Sequence, residues 1–154
     1  MIGVDADAAS MRTAAVAAAR RKSFAPNALF VVAAVEALPG ELDGLADEVR
    51  IHFPWASLLR GLVRAEPWFV SALAAIAAPG ARILALVSVT DRDVGAATPM
   101  PASSLAAAYE RAGVAFREIR PATSEEIAET DSSWAKRVGA GRGRPVTVLR
   151  GERI

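Results

Sequence analysis

The 154-residue chain is 53% hydrophobic and 23% charged, a balance that excludes global disorder and leaves enough apolar residues to bury one domain's core. It has no cysteine and a single histidine, His52, so disulfides, thiolate nucleophiles and sulfur-ligated metal sites are excluded, and with no acids clustered around His52 no metal is expected. With a net charge of +1, any affinity for nucleic acid must come from uneven placement of charge: 36–48 is acidic, whereas 134–154 carries Lys136, Arg137, Arg142, Arg144, Arg150 and Arg153 against Glu152 alone.

Residues 1–4 are a short apolar run ending at Asp5 and Asp7, which predicts a strand; acids at this point do not suit a targeting segment, so a cytoplasmic location is expected. The alanine-rich stretch 8–22 predicts a helix with a basic carboxyl end. The continuous apolar run 28–33 has the length of a strand buried on both faces, and Pro39, Gly40 and Gly44 mark a loop. Residues 49–53 predict a third strand halted by Pro54, 56–64 a short helix, and 67–78 a second helix opened by Pro67 and closed by Pro79 and Gly80. That second apolar stretch falls short of the roughly 20 residues that span a bilayer, so no membrane span is expected. Residues 82–90 form the strongest strand pattern; Ser103 or Ser104 is placed to cap a helix running to Ala112, 114–119 reads as a strand, 124–130 as a short acidic helix and 145–149 as a last strand. Strands alternating with helices imply an α/β fold with a mainly parallel sheet, its final strands forming an antiparallel hairpin at the edge. One domain is expected.

Asp5 ends a strand, where doubly wound folds hydrogen-bond a ribose, although helix caps also favour acids there and Asp7 suits that lesser role. Phe53, Pro54 and Trp55 also follow a strand, at the end where such sheets bind ligands, and a tryptophan there fits either core packing or ligand contact. Trp134 precedes Lys136, Arg137, Arg142 and Arg144 in a glycine-containing stretch. An aromatic among cations suits RNA, whose unstacked bases lie on aromatic faces while cations meet phosphates; a solvated loop with one anchoring Trp is the other reading. Gly139, Gly141 and Gly143 imitate a phosphate loop but lead into Pro145 and a strand rather than a helix. Ser133 and Lys136 have a nucleophile–base spacing without its companion motifs, and His52 has no nucleophile elbow nearby.

Together, NALFVVAAVEALP, DEVRIHFPWASLLRG and SSWAKRVGAGRGR resemble, in order and spacing over nearly the whole chain, the aminoglycoside-resistance methyltransferases that modify the decoding-site adenine of 16S ribosomal RNA at N1. The resemblance implies a class I Rossmann-like methyltransferase that uses S-adenosylmethionine and acts on 16S rRNA within the small ribosomal subunit. By resemblance, Asp5 holds the cofactor ribose, Ala34, Glu36 and Phe53 lie along the cofactor, and Ser132 lies near cofactor and target. Trp55 and Trp134 sandwich the flipped base, and Lys136, Arg137, Arg142 and Arg144 dock on the RNA. His52 and Ala56 depart from the hydrophobic and glycine residues that occupy those places in the family.

One departure is larger. The family's first strand and the glycine-rich acidic loop that cradles the cofactor have no counterpart here, so the resemblance implies a partial domain, 1–154, beginning at the second strand, inactive by itself. Two other readings remain open: a noncatalytic RNA-binding fragment, and an unrelated Rossmann-like nucleotide-binding domain.

Overall fold

The computed structural model describes residues 1–20, 27–90, 93, 97–130, 135–136, 139–141 and 143–154. The chain divides into two compact units, Met1–Glu41 and Leu42–Ile154.

In the first unit, β1 (Ile2–Asp5), α1 (Ala8–Ala18) and β2 (Leu29–Val32) follow one another, and the two strands pair in parallel with Ile2 opposite Leu29 and Asp5 opposite Val32. Asp7 caps α1: its carboxylate accepts the Ala9 N–H at 2.9 Å and the Ser10 hydroxyl at 2.6 Å. These bonds, that from Ser10 foremost, hold its pKa below the usual carboxylate range. The helix stops at Ala18, short of the basic end expected for it, because the Arg20 N–H turns back to the Ala17 carbonyl in a tighter closing turn. β2 is not buried on both faces as its composition predicted: Leu29 is 58% and Val32 55% exposed. A two-stranded sheet with one helix cannot enclose both faces, which is the physical reason for the difference. The expected loop holds two 3-10 turns, Val35–Ala37 and Gly40–Leu42.

The second unit contains β3 (Ala46–His52), α2 (Ala56–Val63), α3 (Pro67–Ile76), β4 (Ala77–Val87), α4 (Ala102–Glu110), β5 (Val114–Pro121), α5 (Ser124–Glu129) and β6 (Thr147–Arg153). Its sheet has the order β3-β4-β6-β5, with β3 parallel to β4 and β6 antiparallel to both β4 and β5. The antiparallel hairpin at the edge is therefore present. The carboxyl ends of β3, β4 and β5 consequently meet the start of β6 at one end of the sheet.

Register sorts the side chains into two faces. Ile83 stands opposite Val49 and Gly151, and Gly151 opposite Phe116, so these residues share the face on which α3 and α4 pack. There, Phe69 of α3, Tyr109 of α4 and Phe116 of β5 make successive edge-to-face contacts with ring centroids 6.5 and 4.8 Å apart. The Tyr109 hydroxyl, deeply buried, donates to the Leu62 carbonyl at 2.9 Å, and burial pushes its pKa well above the usual phenol value. Fully burying a side chain of this kind stabilises the fold by about 1.5–3 kcal/mol. Gly61 lets α2 meet α3, since a Cβ there would lie 2.6 Å from the Trp68 ring.

Three boundaries differ from expectation. Pro79 and Gly80 do not separate α3 from the next strand; β4 already begins at Ala77, and they lie in an irregularity where the register jumps from Ala46 opposite Ala77 to Glu48 opposite Arg82. Neither Ser103 nor Ser104 caps α4, whose N-cap is Pro101; both serines lie within the helix. β6 continues through the charged run 150–153, because Gly151 passes so close to Ala115 that a Cβ would lie 2.3 Å from its carbonyl oxygen, while Arg150 and Glu152 find ion partners on the opposite face.

Candidate cofactor and target-base site

In the first unit, the predicted cofactor residues Asp5, Ala34 and Glu36 gather just past the carboxyl ends of the two parallel strands. The Asp5 carbonyl accepts the Ala33 N–H at 3.1 Å, tying the two strand ends together. One carboxylate oxygen of Asp5 accepts the Asp7 N–H at 2.9 Å, which orients the exposed group. A fixed carboxylate with further acceptor capacity suits a pair of ribose hydroxyls. Ala34 is exposed in extended backbone and adds no side-chain bulk, and Glu36 is exposed in the following turn. These carboxylate acceptors fit the hydroxyl and amino donors on the nucleoside part of S-adenosylmethionine.

In the second unit, β3 ends in a strained turn. Phe53 and Ala56 both have φ of +51°, an unusual backbone for residues with a Cβ, and one that costs roughly 1–3 kcal/mol at each position. The Phe53 ring is buried, 7% exposed, in an apolar cluster with Leu86, Ala135 and Val146, against which Leu84, Ala122, Ile127 and Ala140 pack. Its N–H donates to the Leu86 carbonyl at 2.8 Å. With Phe53 anchored this way and Pro54 buried, Trp55 emerges 78% exposed at the start of α2. An indole left in water while Phe53 and Pro54 are buried gains nothing for the core, and its amphipathic surface suits ligand stacking.

Ala135 is 5% exposed and packs in the cluster that holds Phe53, with Lys136 directly after it. Its neighbour Trp134, together with Ser132, Arg137 and Arg142, lies outside the described residues. Lys136 is exposed and Arg144 partly exposed. Arg144 helps hold the Asp93 carboxyl below its usual range, after the larger effect of the Thr90 hydroxyl and N–H, which donate to Asp93 at 2.7 and 2.9 Å. Sequence reasoning missed Asp93, whose Thr90-x-x-Asp93 spacing was a readable turn signal.

Two further features escaped it. The Ser88 hydroxyl, buried at the end of β4, donates to the Pro145 carbonyl at 2.9 Å. Glu126 of α5 takes a bidentate contact from Arg120, at 2.8 and 3.0 Å, and a third bond from Arg150 at 2.9 Å, while forming a reciprocal capping box with Thr123. Its carboxyl is pulled down to about 2, chiefly by Arg120. The Thr123-x-x-Glu126 spacing carried the capping signal. His52, half-buried at the last position of β3, has its pKa lowered by desolvation and then by Arg50.

Among the described residues no three His, Asp or Glu side chains converge on a metal position, and no helix is long and apolar enough to cross a membrane.

The chain is mixed α/β, and its structure matches those of solved methyltransferases. The solved 16S rRNA (adenine(1408)-N(1))-methyltransferase from Catenulisporales acidiphilia superposes with a TM-score of 0.82 at 31% identity, over 99% of this chain and 76% of that one. A mutant of the same protein, solved with the cosubstrate SAM, gives 0.83 at 29% identity, over 99% and 74%. A 16S rRNA (adenine(1408)-N(1))-methyltransferase of Streptoalloteichus hindustanus is 34% identical over 155 residues, 94% of this chain and 71% of that protein. The family model for NpmA, 16S rRNA (adenine(1408)-N(1))-methyltransferase, matches residues 1–153, and the chain belongs to that family.

Proposed function

We propose that this chain serves S-adenosylmethionine-dependent N1-methylation of the decoding-site adenine of 16S rRNA within the small ribosomal subunit, the modification that confers aminoglycoside resistance. The observation that carries this reading is Trp55, 78% exposed on a strained turn beside the cluster into which Ala135 of the basic segment packs. The cofactor, when bound, supplies an electrophilic methyl group on a sulfonium. Adenine N1 offers an in-plane lone pair, so the protein's task is positioning, and no side chain has to remove a proton first.

Extruding the base costs a few kcal/mol, and stacking returns about 1–3 kcal/mol for each aromatic face. Trp55 supplies one face. By resemblance Trp134 supplies the other, with Ser132 close by and Lys136, Arg137, Arg142 and Arg144 on RNA phosphates. Asp5 takes the ribose hydroxyls, Ala34 and Glu36 flank the adenine of the cofactor, and Phe53 shapes the turn that leads to Trp55.

In this reading residues 1–154 form a single partial domain beginning at the second strand, and an upstream segment supplies the first strand and the glycine-rich cofactor loop. Two observations support it. Among the described residues β1 and β3 each pair along one edge only, leaving the other open to a parallel strand, and the relatives are longer than the stretch matched here. Incubating small subunits with labelled S-adenosylmethionine and the upstream-extended chain tests the function: methyl label should enter 16S rRNA, and subunits that stay unlabelled would refute it.

A further inference from the structure

At the carboxyl end of β4 the residues Ala85, Leu86 and Val87 are buried and apolar, and Ser88 follows them into the interior. Its side chain is buried, 5% exposed. A hydroxyl taken out of water is costly unless bonded, and this one donates at 2.9 Å to the Pro145 carbonyl, 57 positions away. Pro145 follows Arg144 directly. Other bonds hold the same stretch from other directions: the Val146 carbonyl accepts the Ala122 N–H at 2.8 Å, and the Arg144 carbonyl accepts the Gly141 N–H at 2.9 Å. The bond from Ser88 fastens this stretch to β4, the strand next to β3, which leads into Trp55.

We infer that Ser88 is a positioning residue for RNA docking, its hydroxyl fixing the backbone at Pro145 so that the adjoining Arg144 meets RNA phosphate. This rests on the reading of the basic segment as the RNA-facing surface. An apolar residue at position 88 would satisfy packing equally well, whereas the hydroxyl adds a directional link to the segment.

The test measures equilibrium binding of the 154-residue chain to purified small subunits between about 50 and 200 mM salt, the range over which phosphate neutralisation dominates affinity. Wild type is compared with Ser88→Ala, with Ser88→Thr, which keeps the hydroxyl, and with Ile83→Val, which trims the core further back along β4. Melting temperatures are recorded for all four. Ser88→Ala should bind roughly tenfold more weakly, with a slope of log affinity against log salt shallower by about 0.7–0.9 for each phosphate that is no longer neutralised. Ser88→Thr should restore the wild-type slope, and Ile83→Val should keep it despite a lowered melting temperature. Wild-type affinity and slope in Ser88→Ala would overturn the inference, as would an equal weakening in Ile83→Val at the same melting temperature. Failure of the wild-type chain to bind subunits would overturn the RNA-facing reading itself, and the role of Ser88 with it.

Discussion

Trp55 stands in water because the residues around it are committed elsewhere: Phe53 to the apolar cluster, Pro54 to the interior and Ala56 to a left-handed backbone. Removing the indole should therefore leave stability nearly unchanged. Trp55→Ala should cut methylation of the target adenine at least tenfold, the equivalent of about 1.4 kcal/mol of lost stacking, with a melting temperature close to wild type. A variant that methylates normally would remove Trp55 from the site. Glu126 behaves in the opposite way, since its effect is on the fold. Its carboxyl lies at about 2 in the folded chain against an ordinary 4.5, so the stability it contributes is present above the ordinary value and fades as pH falls through the window down to about 2. Chemical denaturation across that window should show a steep loss for wild type and a shallower one for Glu126→Gln; identical slopes would mean the Arg120 and Arg150 bonds do not persist in solution.

Among the elements, the stretch from α5 to β6 gathers most of the anchoring. Glu126 ties α5 to β5 and β6, Ile127 and Ala135 pack with Phe53, and the hydroxyl of Ser88 holds Pro145. In the proposed reading the cations of the basic segment act together on RNA. Replacing Arg137, Arg142 and Arg144 with alanine should weaken small-subunit binding and flatten its salt dependence, because fewer counterions are released, while cofactor affinity stays unchanged. Unaltered binding at every salt concentration would refute the docking role.

Much of this was legible in the residues. Apolar runs marked every strand, Pro67 opened α3, and the FPW and WAKR stretches pointed to the turn and the basic segment. What the residues hid depends on partners distant in the chain. The continuation of β6 through 150–153 needs Ala115 above Gly151 and Glu126 beside Arg150, and the start of β4 at Ala77 needs Ala46 opposite it. Ser88 looks like any strand-end serine until Pro145 is placed beside it. The exposure of Trp55 was equally hidden, since a tryptophan after a strand fits a core as readily as a surface.

For the molecule as a whole, the open edges matter most. β1 and β3 are parallel strands with one bare side each among the described residues, and Ile2, Val4, Leu29 and Val32 remain exposed in the first unit. Bare apolar strands invite association. In the proposed partial-domain reading, an upstream strand with a glycine-rich loop covers these edges and takes part in cofactor binding. Calorimetry should accordingly show S-adenosylmethionine binding by the upstream-extended chain and none by residues 1–154 alone. Micromolar binding by the shorter chain would contradict the partial-domain reading.

The central claim concerns one atom of one nucleotide, and primer extension reads it directly, because methylation at N1 blocks base pairing and stops reverse transcriptase. On 16S rRNA from small subunits treated with S-adenosylmethionine and the upstream-extended chain, a stop should appear at adenine 1408. It should be absent when the cofactor is withheld. Read-through at that adenine in subunits shown to carry the transferred methyl would place the modification elsewhere and contradict the account.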